Sequence, residues 1–149
     1  MRLEDPIHCV LDRKGREVWG ISPGKTVYEA IEAMSDRRVG ALVVLEGRNL
    51  VGVVSERDYA RKVILRGRSS RESLVGEIMT SPVVIATPHH TVGECMELMT
   101  EARVRHLPVV EDGEVVGVLS MGDLVHWMIS AQEEIIHELE DYIAGRYPA

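Results

Sequence analysis

Apolar positions along this 149-residue chain change their period in a fixed order, and the order occurs twice. Val27, Ile31 and Met34 recur at i, i+4 and i+7, the spacing of one helix face. Ala41–Leu45 and Leu50–Val54 follow as short β-branched runs around the turn-prone Glu46-Gly47-Arg48-Asn49, which predicts a strand hairpin. A further helix runs from Glu56 to about Leu65. Val92, Met96 and Met99 then repeat the first helix, and Leu107–Val110 with Val115–Leu119 repeat the hairpin around Glu111-Asp112-Gly113-Glu114. A helix from Met121 to about Ile129 completes the second round.

Displacing the sequence by 65 residues aligns Ser22–Ile64 with Thr87–Ile129 without a gap, and 17 of the 43 positions are identical, so the chain is an internal duplication. Val10 with Val75 and Val18 with Val83 keep the offset upstream, which predicts a short helix or turn and a lead-in strand before each unit. The second lead-in strand falls at Val83–Ala86, after a polar linker at Arg66–Ser73 and a short helix at Leu74–Met79. A single β-α-β-β-α unit exposes too much apolar sheet to stand alone, so the two copies pack together. The expected organisation is α/β, with a first repeat over 10–66, a linker and short helix over 67–79, a second repeat over 80–129, and a helix over 130–145. That last helix lies outside the repeat. It places Ile135, Ile136, Leu139, Tyr142 and Ile143 on one face and Glu133, Glu134, Glu138, Glu140 and Asp141 largely on the other. The apolar face covers either the rest of the same chain or a second subunit.

Composition narrows the function. A formal net charge of −7 and a pI near 5.4 exclude the concentrated basic face that a nucleic acid requires. No apolar run approaches the roughly 18 residues needed to span a bilayer, and Met-Arg-Leu-Glu-Asp-Pro at the start lacks the apolar core of a secretory signal. No membrane association and a cytoplasmic location are therefore expected. Cys9 and Cys95 form no paired spacing, which fits reduced thiols, and Cys95 aligns with Ala30 as a small packing residue.

Four segments read Ser/Thr-x-x-Asp/Glu: Thr26–Glu29, Ser55–Asp58, Thr91–Glu94 and Ser120–Asp123. Each fits a capping box, in which the hydroxyl accepts from the N–H three residues on and the carboxylate reaches back. For the two threonine segments that role suffices. The two serine segments stand where a Gly-containing strand turns into a helix, a place where anions are held by free N–H groups and the helix dipole. There Asp58 and Asp123 have the position of ribose clamps, Ser55 and Ser120 that of ribose or phosphate partners, and Arg57 that of a forked phosphate donor. Spacing alone leaves capping and binding both open.

The strings Val39-Gly40-Ala41-Leu42-Val43-Val44 and Leu50-Val51-Gly52-Val53-Val54-Ser55-Glu56-Arg57-Asp58 carry a resemblance to the cystathionine-β-synthase-type (CBS) domain family. So do Val104-Arg105-His106-Leu107-Pro108-Val109-Val110 and Val115-Val116-Gly117-Val118-Leu119-Ser120-Met121-Gly122-Asp123. The resemblance covers nearly the whole chain and is to a tandem pair, a Bateman module. It implies two repeats related by a pseudo-twofold axis, dimerisation, and clefts that accept AMP, ADP, ATP, S-adenosylmethionine or NAD. It also implies a regulatory sensor rather than an enzyme, signalling to an effector protein in trans. On this basis Ser55, Arg57 and Asp58 form the ribose-phosphate motif of the first copy, and Ser120 and Asp123 that of the second. Gly122 in place of Arg57 makes the first cleft the stronger phosphate site. Arg105 and His106 stand where the first copy has Gly40 and Ala41, and reach across toward the first ligand. The base rests against Trp19, Gly20 and Ile21, or Val84 and Ile85. A ligand-free structural or dimerisation module is the reading from another class. His89-His90, in a turn, is read as solvated rather than metal-ligating, and no nucleophile elbow or Walker loop supports catalysis.

Overall fold

The computed structural model describes residues 2–145, the side chain of Ala131 excepted. The element order is α1 (Ile7–Lys14), β1 (Gly20–Ile21), α2 (Val27–Arg37), β2 (Ala41–Glu46), β3 (Asn49–Ser55), α3 (Glu56–Lys62), a 3-10 turn at Ile64–Arg66, α4 (Val75–Ile78), α5 (Val92–Ala102), β4 (His106–Glu111), β5 (Glu114–Ser120) and α6 (Met121–Ile143). Both hairpins form as the spacing requires, and Asp112 and Gly113 take the positive φ values of a two-residue turn. Both hairpins also shift register at equivalent places, between Val44 and Leu45 and between Val109 and Val110. The helix stripes are rotated slightly from expectation. Val27, Ala30 and Met34 are buried in α2, and Val92, Cys95 and Met99 in α5, while Ile31 and Met96 are partly buried at their edges.

The second lead-in strand does not form, and Pro108 is the reason. In the first unit β1 joins β2 in parallel, and the Val43 N–H donates to the Trp19 carbonyl at 3.1 Å. Pro108 occupies the position of Val43 and has no N–H, so the equivalent bond to Val84 cannot exist. Only Ala86 pairs, as a single bridge to Val109. The first sheet thus has three strands and the second two. A second difference concerns the tail: α6 runs unbroken from Met121 to Ile143, without a boundary near residue 130. Nothing in Ser130-Ala131-Gln132 breaks a helix, whereas the first unit tightens into a 3-10 turn and stops at Gly67, which is left-handed.

The two short helices exchange places. α1, first in sequence, buries Ile7, Val10 and Leu11 in the core of the second unit, against Val92, Cys95, Met99, Leu107, Leu119 and Leu124. α4 buries Val75 and Ile78 with Val27, Ala30, Met34, Leu42, Val44 and Val54 of the first unit. The backbone follows suit: Val27 and Tyr28 at the start of α2 donate to the Ser73 and Ser70 carbonyls, and Val92 and Gly93 at the start of α5 donate to those of Asp5 and Leu3. Orphan N–H groups of both helices are therefore satisfied by the incoming segment.

The exchange explains the matched glycines. A Cβ on Gly117 would lie 2.7 Å from a Leu11 methyl, and one on Gly52 would lie 2.5 Å from the Met79 sulfur, so each hairpin is bare where the short helix or its last residue crosses it. Leu11→Ala is expected to cost about 2–5 kcal/mol although it lies outside the repeat it stabilises. Gly117→Ala should cost about 1–3 kcal/mol by forcing Leu11 aside. Urea unfolding of the purified chain measures both.

Candidate functional site

Crossing connections create two clefts. Residues 15–19 lead from α1, on the second unit, to β1 of the first, and residues 80–86 lead from a Thr80–Val53 bridge on the first sheet to the Ala86–Val109 bridge on the second. Each connection lines one cavity. The first, of about 350 Å³, is bordered by Gly40, Val53, Ser55, Glu56, Arg57, Asp58, Arg61, Thr80, Pro82, Val83, Val84 and residues 102–106. The second, of about 320 Å³, is bordered by Lys14, Glu17, Trp19, residues 38–41, His106, Val118, Ser120 and Asp123. Both fall within the range of small-molecule sites.

In the first cleft the structure brings together Ser55, Arg57, Asp58, Arg105, His106 and Gly40. Asp58, only 8% exposed, is held tightly: Oδ2 accepts from the Ser55 N–H at 2.9 Å and its Oγ at 3.0 Å. Oδ1 accepts from Thr80 Oγ1 at 3.1 Å and pairs with Lys62 Nζ at 3.1 Å. Ser55 Oγ in turn accepts the Asp58 N–H at 3.2 Å, completing a capping box. Capping is thus realised at Asp58, and a ribose must displace Thr80 or Lys62 to reach Oδ1.

Charge is distributed unequally between the clefts. Four arginines, Arg57, Arg61, Arg103 and Arg105, border the first cleft with two acidic residues, Glu56 and Asp58, leaving an excess of positive charge. Repulsion from Arg105, then from Arg61, lowers the proton affinity of Arg57. In the second cleft Lys14 and Arg38 face Glu17 and Asp123 in balance. Lys14 Nζ there donates to Asp123 Oδ2 and to the Val118 carbonyl, each at 2.7 Å. Asp123 Oδ2 also accepts the Ser120 N–H at 2.8 Å, within a capping box of its own.

His106 and Gly40 border both clefts. A Cβ at Gly40 would lie 3.4 Å from His106 Cε1 and Nε2, so the partition between the cavities is about one imidazole thick. Burial lowers the His106 pKa below its ordinary value; Asp123 opposes this, while Lys14 and Arg105 add to it. The ring is therefore neutral near pH 7.

Several expected contacts fall elsewhere. Trp19 and Ala41 line the second cleft, and the Arg37 guanidinium stacks on the Trp19 ring at 4.1 Å. Ile21 lines neither cavity, because its side chain packs on the first core. Val83 and Val84 line the first cleft, whereas Ile85 is exposed. Thr80, Arg61, Lys14, Arg38 and Arg103 are site residues that the sequence reading missed. Arg38 and Arg103 did leave a signal: they are identical at the repeat offset, and each closes its helix with φ near +55°, a conformation that strains a side chain and is common at ligand sites. Of the histidine pair, His90 Nδ1 accepts the Thr87 N–H at 2.8 Å within its turn. Burial pushes the Cys95 thiol up to about 12, leaving it inert as a nucleophile.

Among the described residues no helix is long and apolar enough to cross a membrane. The profile of the CBS domain matches the chain twice, over residues 10–65 and 75–130. The mitochondrial CBS domain-containing protein CBSX3 of Arabidopsis thaliana is 40% identical over 150 residues, covering 95% of this chain and 73% of its own. The CBS domain-containing protein YhcV of Bacillus subtilis is 32% identical over 115 residues, covering 77% and 81%. A solved structure from Burkholderia ambifaria, described as a signal-transduction protein with CBS domains, superposes with a TM-score of 0.83 at 44% identity, covering 86% of this chain and 96% of its own. With two matched repeats, an exchanged pair of short helices and two clefts along the crossings, the chain belongs to the CBS domain family as a tandem pair.

Proposed function

We propose that this regulatory module binds an adenine nucleotide, AMP, ADP or ATP, in the first cleft and passes its occupancy to an effector protein in trans. The observation that carries the reading is the convergence of Arg57, Arg61, Arg103 and Arg105 on one cavity that also holds Ser55, Asp58 and Thr80. Forked donors in excess over carboxylates suit a dianionic phosphate. Hydroxyl and carboxylate groups beside them suit a ribose, and Val53, Val83, Val84 and Val104 offer an apolar rest for a flat base. The second cleft, balanced in charge and with Gly122 where the first copy has Arg57, is the weaker or differently selective site. Binding regulates only if the ligand prefers one arrangement of the two units over another. The crossings at 15–19 and 80–86 are where such a preference acts, since each joins the two units and lines a cleft.

A second reading, a ligand-free structural module, is favoured by one observation: Asp58 finds all its partners inside the chain. Calorimetric titration of the intact protein with AMP, ADP, ATP, NAD, NADH and S-adenosylmethionine separates the two. The nucleotide reading expects AMP, ADP or ATP to bind with submillimolar Kd; failure of all six ligands to bind at that level supports the structural module. Tight binding confined to NAD, NADH or S-adenosylmethionine keeps the sensor but replaces its ligand.

Arg57→Ala and Arg105→Ala should each weaken AMP binding about tenfold or more, the range for a charged hydrogen bond, while leaving adenosine nearly unaffected. Their effect on thermal stability should be small, because Arg105 is exposed and Arg57, half-buried, is repelled by Arg105 and Arg61.

The depressed His106 pKa gives two pH dependences with defined signs. In the unfolded chain the ring titrates at about 6.5, above its folded value, so the unfolded state binds more protons as the pH falls. The His106 contribution to stability is complete above about pH 6.5 and is lost as the pH drops through the folded value. A phosphate in the cleft raises the His106 pKa, so AMP binding takes up protons, and the wild-type affinity relative to His106→Gln should improve from pH 8 to pH 6. Taking the ratio at each pH removes the titration of the phosphate itself.

A further inference from the structure

The second half of α6 extends an apolar stripe that nothing else among the described residues covers. Ile135, Ile136 and Leu139 are more than half exposed, and Tyr142 and Ile143 reach 74% and 81%. The first half of the same helix is anchored by buried Leu124 and Trp127. Val125 and Ile129, beside those anchors, point to solvent.

These exposed positions follow a heptad. Val125, Ile129, Gln132, Ile136, Leu139 and Ile143 are spaced 4, 3, 4, 3 and 4, so isoleucine occupies every a position and Val125, Gln132 and Leu139 occupy the d positions. The seam is about 27 Å long at 1.5 Å per residue. Isoleucine at a with leucine at d is the pattern of a two-stranded parallel coil; here isoleucine fills the a positions and Leu139 one of the three d positions, and one polar residue in the seam, Gln132, fixes its register. The flanks choose the direction. Glu133 and Glu140 fall at e, while Ile135 and Tyr142 fall at g. An antiparallel pair sets e against e and brings glutamates of the two chains together. A parallel pair sets e against g, so each glutamate lies beside an apolar residue and no like charges meet. The remaining acidic positions, Glu134, Glu138 and Asp141, lie on the b, c and f side, away from the seam.

We propose that residues 125–143 of α6 pair with the same residues of a second copy as a parallel two-stranded coiled coil, with Gln132 of each chain opposed in the seam. The two modules then sit side by side at one end of the coil, and the packed first half of α6 supplies the nucleus from which the exposed half is propagated.

Sedimentation equilibrium of the full chain tests this, with a dimer of twice the 16.6 kDa chain mass expected at micromolar concentration. Ile136→Asp should weaken the dimer at least tenfold and leave the thermal midpoint of the monomer unchanged. A monomeric wild type overturns the proposal, as does a dimer indifferent to Ile136→Asp, which assigns assembly to another face. Direction is read by disulfide trapping in a Cys9→Ser background, where the remaining Cys95 is buried and inert. Gln132→Cys and, toward one end of the seam, Leu139→Cys should each cross-link two chains on mild oxidation, the second only in a parallel pair, and Glu134→Cys, at the outward f position, should not. Cross-linking at 134 as readily as at 132, or none at 139, overturns the parallel register.

Discussion

Everything in this molecule depends on an exchange: each repeat is completed by a short helix that lies on the far side of a crossing in the chain. Ile7, Val10 and Leu11 fill the core of the second unit, while Val75 and Ile78 fill that of the first. Neither unit can close its core or satisfy the first N–H groups of its long helix without that segment. The two units are therefore one cooperative body rather than two beads on a linker. The connections that carry the exchange join the two units, and each lines one of the clefts.

Duplication made the clefts alike and divergence made them different. Arg57 against Gly122 changes the charge presented by the helix start, and Arg105-His106 against Gly40-Ala41 changes the wall opposite it. The structure adds a third difference: at the repeat offset Lys14 corresponds to Met79, so an ammonium enters the second cleft where the first unit has a thioether lying across Gly52. Asp123 consequently spends its charge on an internal cation from α1, and the positive excess of the first cleft has no counterpart in the second. His106, which with Gly40 borders both cavities, has its charged form disfavoured by burial and favoured by Asp123 of the second cleft.

Much of this was legible because it is local. The hairpins are written in Gly47, Asp112 and Gly113 between β-branched runs, and the helix starts in Thr26, Ser55, Thr91 and Ser120, each of which accepts the N–H three residues on. The exchange was not legible, because the stripe of Ile7, Val10 and Leu11 is the same whichever core receives it. With it went Lys14, which lies upstream of the matched region, and Thr80, which reaches Asp58 only through tertiary packing. The placement of Ile21 failed for the same reason, since period alone does not say which side of a two-residue strand meets a ligand. Pro108 was in plain view, and its missing N–H was enough to refuse the second lead-in strand.

That missing N–H also decides where the molecule can yield. Among the described residues, no backbone hydrogen bond fastens residues 81–85, whereas the corresponding stretch under the second cleft is pinned to the sheet through the Trp19 carbonyl. The wall of the first cavity can therefore shift between Thr80 and Ala86, its two attachment points, without breaking a ladder. The second cavity must deform a sheet to do the same. One imino acid has left the duplicated frame with one wall tied to its sheet by a single bridge and the other paired along it.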